Sequence, residues 1–134
     1  MQASAVAIGQ RAVVITGKPG SGKSSLAFAL IDRGATLIGD DGVALRLEAD
    51  ALLASPPPNI EGLLELRGVG LLTFPVTQAP VSLLVELGME GERLPETLPR
   101  REMFGVAIPV MQLGRTDWTS ALRIEQALAM HGLA

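Results

Sequence analysis

Short apolar runs alternate with glycine-rich and charged turns along the chain, and the period of the apolar positions changes in a readable order. Ser4 to Ile8 and Ala12 to Thr16 are runs of strand length separated by Gly9-Gln10-Arg11, which predicts a hairpin leading into a buried strand that ends at Gly17. From Ser24 the spacing turns helical, with Leu26, Ala27, Leu30 and Ile31 on one face and Gly34 where a helix C′ residue belongs. Ala35 to Gly39 is again strand-like and runs into Asp40-Asp41, and Val43 to Glu48 predicts a further strand. The triple proline Pro56 to Pro58 predicts a loop, flanked by Asn59 and Glu61, which read as loop residues rather than ligands. Leu63 to Arg67 alternates apolar and charged residues, Val81 to Leu87 is mostly apolar, and Val106 to Leu113 carries Pro109, which predicts an edge strand or a bulge. Gly88 to Gly105, rich in Glu, Arg and Pro, predicts a long solvated loop. Asp117 to His131 predicts a last helix with Asp117 as N-cap, Ala121, Ile124 and Leu128 facing inward, and Gly132 as the stop. The sum is an α/β domain, and too few residues flank the triple proline for two cores, so residues 1–134 are expected to form one domain.

Composition narrows the chemistry. Eleven basic residues against fourteen acidic leave a net charge of -3, which argues against a nucleic-acid or membrane-surface binder. No Cys, no Tyr and one His exclude thiol catalysis, a Tyr nucleophile and a Cys or multi-His metal site, so oxygen chemistry remains. His131, near the end of the last helix, reads as a surface residue offsetting the helix dipole. No apolar run approaches the ~18 residues a spanning helix needs, and a cytoplasmic location is expected. A mean hydropathy of +0.36 points to apolar surface covered by another subunit.

Only two of the eleven cations are lysines, and both lie in one stretch: Gly17-Lys18-Pro19-Gly20-Ser21-Gly22-Lys23-Ser24. This is a complete G-x-x-x-x-G-K-[ST] between a predicted strand and a predicted helix. A triphosphate needs several backbone N–H donors converging on it, and a loop of small residues turning into a helix N-terminus supplies them. Lys23 is placed to reach the β- and γ-phosphates and Ser24 to offer its hydroxyl to Mg²⁺, whereas Lys18 reads as a turn residue. Phosphoryl transfer also needs a carboxylate, for the metal or for the nucleophile's proton. Asp40-Asp41 fits, and because neighbours in an extended segment point to opposite faces, one of the two is expected to face the phosphates, which one being left open. In Leu63 to Arg67, Leu64 and Leu66 share one face, leaving Glu65 and Arg67 on the other for a metal and a phosphate. Arg93, Arg100 and Arg101 lie in the predicted loop, where an arginine can meet transition-state charge.

Taken together, Gly17 to Ser24, Leu37-Ile38-Gly39-Asp40-Asp41 and Leu64-Glu65-Leu66-Arg67-Gly68-Val69-Gly70-Leu71-Leu72 resemble the bacterial HPr kinase/phosphorylase family. The resemblance covers most of the chain. It implies a P-loop catalytic domain with a mixed sheet, similar to phosphoenolpyruvate carboxykinase, and a homo-oligomer, typically a hexamer. The activity it implies is ATP- and Mg²⁺-dependent phosphorylation of a serine of HPr, the phosphocarrier of the sugar phosphotransferase system, with the reverse phosphate-dependent dephosphorylation. ATP and phosphate or pyrophosphate are its small-molecule partners. Carried over, the family's proton-handling Asp falls on Asp41, its Mg²⁺ positions on Ser24 and Glu65, its phosphate-contacting Lys on Lys23, and its phosphorylase-associated loop Arg approximately on Arg93. Only the catalytic domain of the longer members is expected here.

Two positions depart from the pattern. The family has a catalytic His fifteen residues before the first P-loop Gly, where this chain has Gln2, and an acidic residue is common where it has Ser25. An amide cannot carry an imidazolium charge, so the kinase direction is expected over the phosphorylase. The Pro-Val-Arg-Pro-Gly-Arg segment of the family is partly echoed by Pro109 to Arg115. A P-loop kinase for a small metabolite and an ATP-binding regulatory protein with impaired turnover are the alternatives. The lone Asn59 is followed by Ile60, so no Asn-Lys-x-Asp guanine-reading motif exists, which argues against a GTPase.

Overall fold

The computed structural model describes residues 1–58 and 62–134, so the expected roles of Asn59 and Glu61 lie outside the described residues. The opening hairpin forms as its apolar runs predict: β1 (Ser4–Ile8) and β2 (Arg11–Thr16) pair antiparallel with Ala5 opposite Val14. β2 leads through the glycine loop into α1 (Lys23–Asp32), which ends with Gly34 at φ 110, a left-handed C′ position that suits glycine. β3 (Thr36–Gly39) then pairs antiparallel with the other side of β1. Since β1 runs against both neighbours, β2 and β3 run the same way. Both end at the sheet edge where β1 begins, and that edge is where the site lies.

Four strands follow: β4 (Ala44–Glu48), β5 (Ala51–Ser55), β6 (Leu63–Leu66) and β7 (Gly70–Thr73). Then come β8 (Ala79–Leu87), β9 (Arg100–Met103), β10 (Val106–Leu113) and α2 (Ser120–His131). The main sheet has the order β3-β1-β2-β8-β10-β9, with the β4–β5 hairpin joined through β5 to the start of β8. β2, β8 and β10 are parallel neighbours and the other pairings are antiparallel, which makes the sheet mixed, as the resemblance implies. β6 and β7 form a separate antiparallel hairpin.

Each face of the sheet carries a core. Val13, Ile15, Leu83, Val85 and Leu113 meet Leu26, Leu30, Ile124 and Leu128 from the two helices on one side, while Val14, Leu84, Ile108 and Val110 meet Val43, Leu52 and Ala54 on the other. Strict alternation would put Val81 and Leu83 on one face. The register instead shifts so that Ala12 opposes Val81 and Val13 opposes Leu83, and the extra residue, Ser82, sends these two side chains into different cores.

Four expectations on local structure are corrected. β5 and β7 were absent from the pattern: β4 turns into β5 at Ala49-Asp50, with Ala49 at φ 56, a left-handed position that alanine does not advertise. The stretch from Gly88 to Gly105 is not loop throughout, because β9 pairs with β10 there; its Arg-Arg-Glu-Met sequence carries the charge of an exposed edge. Pro109 lies inside a strand flanked on both sides, at the point where β10 leaves β9 and joins β8, so its missing N–H interrupts neither ladder. The last helix begins at Ser120 with Thr119 as N-cap, and Asp117 stands outside it.

Asp117 nevertheless organises that helix start. Its Oδ1 accepts the Thr119 hydroxyl at 2.6 Å and the Thr119 amide at 2.8 Å, and its own amide donates to Ser120 Oγ at 2.9 Å. The hydroxyl bond foremost, then the amide bond, hold the carboxyl below its ordinary value of 3.8. A lowered folded-state pKa means that this contribution to stability is complete above about pH 4 and is lost as pH falls through the lowered value. Urea unfolding of wild type and Asp117→Asn is therefore expected to differ at pH 6 and to converge toward pH 2 to 3. An equal difference at every pH would show that the carboxylate charge is not what is felt.

Candidate functional site

The loop Gly17 to Ser24 leaves the end of β2 and turns into α1. Gly20 at φ 80 and Gly22 at φ 101 hold the left-handed backbone that lets the chain fold over itself before the helix, and Gly22 caps α1 without any side-chain bond. The first turn of α1 carries no acidic residue, so its N–H groups face the loop without a competing anion. Lys23 folds back over the loop: its Nζ donates to the carbonyl oxygens of Gly17 at 2.8 Å and Lys18 at 3.2 Å. The ammonium is thus held at the loop's mouth rather than in solvent.

Three more segments reach the same edge. At the end of β3, a Cβ on Gly39 would run into the Gly42 carbonyl, and glycine permits the tight turn that follows. Asp41 in that turn sits at φ 58, a left-handed conformation that Asp tolerates better than most residues. Asp40 Oδ1 accepts hydroxyl protons from Ser4 on β1 and from Ser24 on α1, both at 2.8 Å, and Oδ2 faces the Glu65 amide at 3.3 Å. Leu64 is buried in the helix-side core, which anchors the β6–β7 hairpin and leaves Glu65 and Arg67 exposed, as the alternation predicts.

These elements enclose an open cavity of about 350 Å³ lined by Ser4, Pro19, Gly20, Gly22, Lys23, Ser24, Ser25, Asp40, Asp41, Glu65 and Arg67. Both members of the acidic pair line it. The expectation that only one would do so fails because the strand ends at Gly39 and the positive φ of Asp41 breaks the period-two rule. Gly17, Lys18 and Ser21 of the loop do not line it. Lys18 contributes its carbonyl to Lys23, and Ser21 turns to the rear, beside Gly114, Arg115 and Thr116, where its buried Oγ has no hydrogen-bond partner among the described residues.

Arg93 is not brought to this cavity. It lines a second one, of about 720 Å³, between residues 91–99, the end of β10 and α2, together with Arg123 and His131. His131 is half-buried there rather than fully at the surface. Arg100 and Arg101 belong to β9, and Arg101 is ion-paired with Glu86. Gln2 is exposed and does not line the cavity at the P-loop, which β1 reaches through Ser4. Ser4 was not singled out by the pattern, since one serine in an apolar run carries no signal until its partner is known.

No group of three or more His, Cys, Asp or Glu is arranged to hold a metal among the described residues. The side-chain oxygens around the cavity are the hydroxyls of Ser4, Ser24 and Ser25 and the carboxylates of Asp40, Asp41 and Glu65, all hard donors. Mg²⁺ takes only one or two carboxylates and fills its remaining positions with phosphate and water, so this set fits it.

A strand, a glycine loop and a helix, with a lysine folded over the loop and carboxylates opposite, define a P-loop domain of the phosphate-handling, kinase type. The family described as HPr Serine kinase C-terminal domain matches residues 1–131, and the chain belongs to that family. The Hpr(Ser) kinase/phosphatase from Coxiella burnetii, a solved structure, is similar at 29% identity and a TM-score of 0.82, over 96% of this chain and 87% of that one. No helix among the described residues is long and apolar enough to cross a membrane.

Proposed function

We propose that the chain is an ATP- and Mg²⁺-dependent protein serine kinase acting on HPr. The observation that carries this is the single cavity in which Lys23, Ser24, Asp40, Asp41, Glu65 and Arg67 converge on the mouth of the P-loop. The nearest support for the substrate is the likeness to an enzyme described as an Hpr(Ser) kinase/phosphatase.

The loop amides and Lys23 bind the β- and γ-phosphates and offset the charge that spreads over the transferred group. The Ser24 hydroxyl and Glu65 would hold Mg²⁺, which would supply further neutralisation of phosphate charge. Asp41 accepts the proton of the target serine hydroxyl as its oxygen bonds to the γ-phosphorus and the bond to the β,γ-bridging oxygen breaks, releasing ADP. Asp40, with both oxygens already engaged, is the less available acceptor. With phosphate as acceptor, a phosphate oxygen would bond to the phosphorus of phosphoserine as the serine O–P bond breaks, giving pyrophosphate, and Asp41 would return the proton to the serine oxygen. In this structure Arg93 stands apart and Gln2 is exposed, which favours the forward direction.

The test is to incubate the protein with HPr and γ-labelled ATP, using Lys23→Ala as the blank. Label on an HPr serine, absent with the variant, is expected. Transfer to a small metabolite but not to HPr would replace the substrate, and nucleotide binding with no transfer at high enzyme would favour a regulatory ATP-binding protein.

A further inference from the structure

Ser4 is the only polar residue of β1, and it is wholly shielded from solvent at 0% exposure. A hydroxyl in that position costs stability unless it is bonded. Its one bond crosses 36 residues to Asp40 Oδ1, which also accepts Ser24 Oγ at the same distance of 2.8 Å. The Glu65 amide lies against Oδ2. One carboxylate therefore joins the first strand, the first helix and the β6–β7 hairpin.

The Ser24 hydroxyl has one proton and two lone pairs. While that proton is directed to Asp40, the lone pairs are left for a cation in the cavity. An Asp side chain turns easily about its last torsion, so the direction of the Ser24 proton depends on what holds the carboxylate plane. Ser4 holds it on the shared oxygen. We propose that Ser4 is a positioning residue of this site: through Asp40 it fixes the orientation of Ser24 Oγ and so the strength with which the P-loop takes a metal–nucleotide complex. The role rests on the functional reading above. It assigns to the first strand a part in the site that is played by Ser4, not by the exposed Gln2.

The measurement is the affinity for a fluorescent ATP analogue with and without Mg²⁺, in wild type, Ser4→Ala, Ser4→Cys, Ser4→Thr and Ser82→Ala, each with a thermal unfolding curve. Loss of a group that orients a metal ligand typically weakens metal binding 10- to 100-fold. Ser4→Ala is thus expected to keep the metal-free affinity and to lose about tenfold of the gain that Mg²⁺ brings. Ser4→Cys, of similar volume but a weak donor, should follow it if the alanine variant folds poorly, and Ser4→Thr should retain the wild-type gain. Ser82, the bulge residue of β8, is also buried, at 1% exposure, but far from the site in the sheet. Ser82→Ala is expected to lower the unfolding temperature and leave the Mg²⁺ gain intact. A wild-type gain in both Ser4→Ala and Ser4→Cys would overturn the proposal and leave Ser4 a core hydroxyl. A wild-type protein that binds no nucleotide would instead overturn the functional reading on which it rests.

Discussion

Lys23→Ala is expected to reduce phosphate transfer by on the order of 10³-fold, the scale seen when one preorganised donor to a developing charge is removed. The variant should fold normally. Lys23 Nζ contacts only the Gly17 and Lys18 carbonyls of its own loop, both at the protein surface or near it, so no buried group loses a partner. Circular dichroism and the unfolding midpoint should therefore match wild type while transfer disappears. Lys23→Arg should not rescue it, because a planar guanidinium cannot replace a compact ammonium folded against two loop carbonyls. Transfer within tenfold of wild type in Lys23→Ala would mean that the loop does not hold the transferred phosphate.

That this residue was legible from the sequence has a physical cause. A P-loop builds its site from eight consecutive residues, so backbone geometry and side-chain chemistry are written in one place, and the flanking change of period from strand to helix supplies the context. The long elements were legible for a similar reason: β2, α1 and β8 bury continuous or helically spaced apolar residues. Two of the elements that escaped, β7 and β9, are short and exposed. β9 carries two arginines and a glutamate in four residues, and β7 has no buried residue. Neither has an apolar pattern because neither faces a core on its own, and their strand conformation is imposed by the partner across the ladder.

The site beyond the loop was legible in proportion to how local its geometry is. Glu65 and Arg67 came out on the face predicted because they follow the alternation of a strand anchored by Leu64. Asp40 and Asp41 did not obey it, since the turn at Asp41 depends on a left-handed backbone that the pair itself does not announce. The Ser4 bond to Asp40 and the placement of Arg93 depend on strand order and loop path, which are properties of the whole fold. The family resemblance offered a role for Arg93 alone, and the structure locates that residue in a different cavity from the P-loop.

Asp41→Asn and Asp40→Asn should separate the two roles that adjacent carboxylates play in one cavity. Asp41 makes none of the side-chain hydrogen bonds found among the described residues, and it is exposed in the turn, so its amide replacement should leave folding and nucleotide affinity near wild type. What it loses is a proton acceptor, and general-base catalysis of this kind contributes roughly 10²- to 10⁴-fold. The loss is expected in kcat, with KM for ATP little changed. Asp40→Asn acts on different quantities. An amide offers only one acceptor oxygen, so either the Ser4 and Ser24 hydroxyls or the Glu65 amide meets a donor instead of a lone pair. That variant should lower the unfolding midpoint and weaken the Mg²⁺-dependent part of nucleotide binding. The opposite split, with Asp40→Asn losing only kcat and Asp41→Asn losing stability and metal dependence, would exchange their assignments. It would make the hydrogen-bonded carboxylate the base and the free one the structural partner, which the three donors around Asp40 argue against.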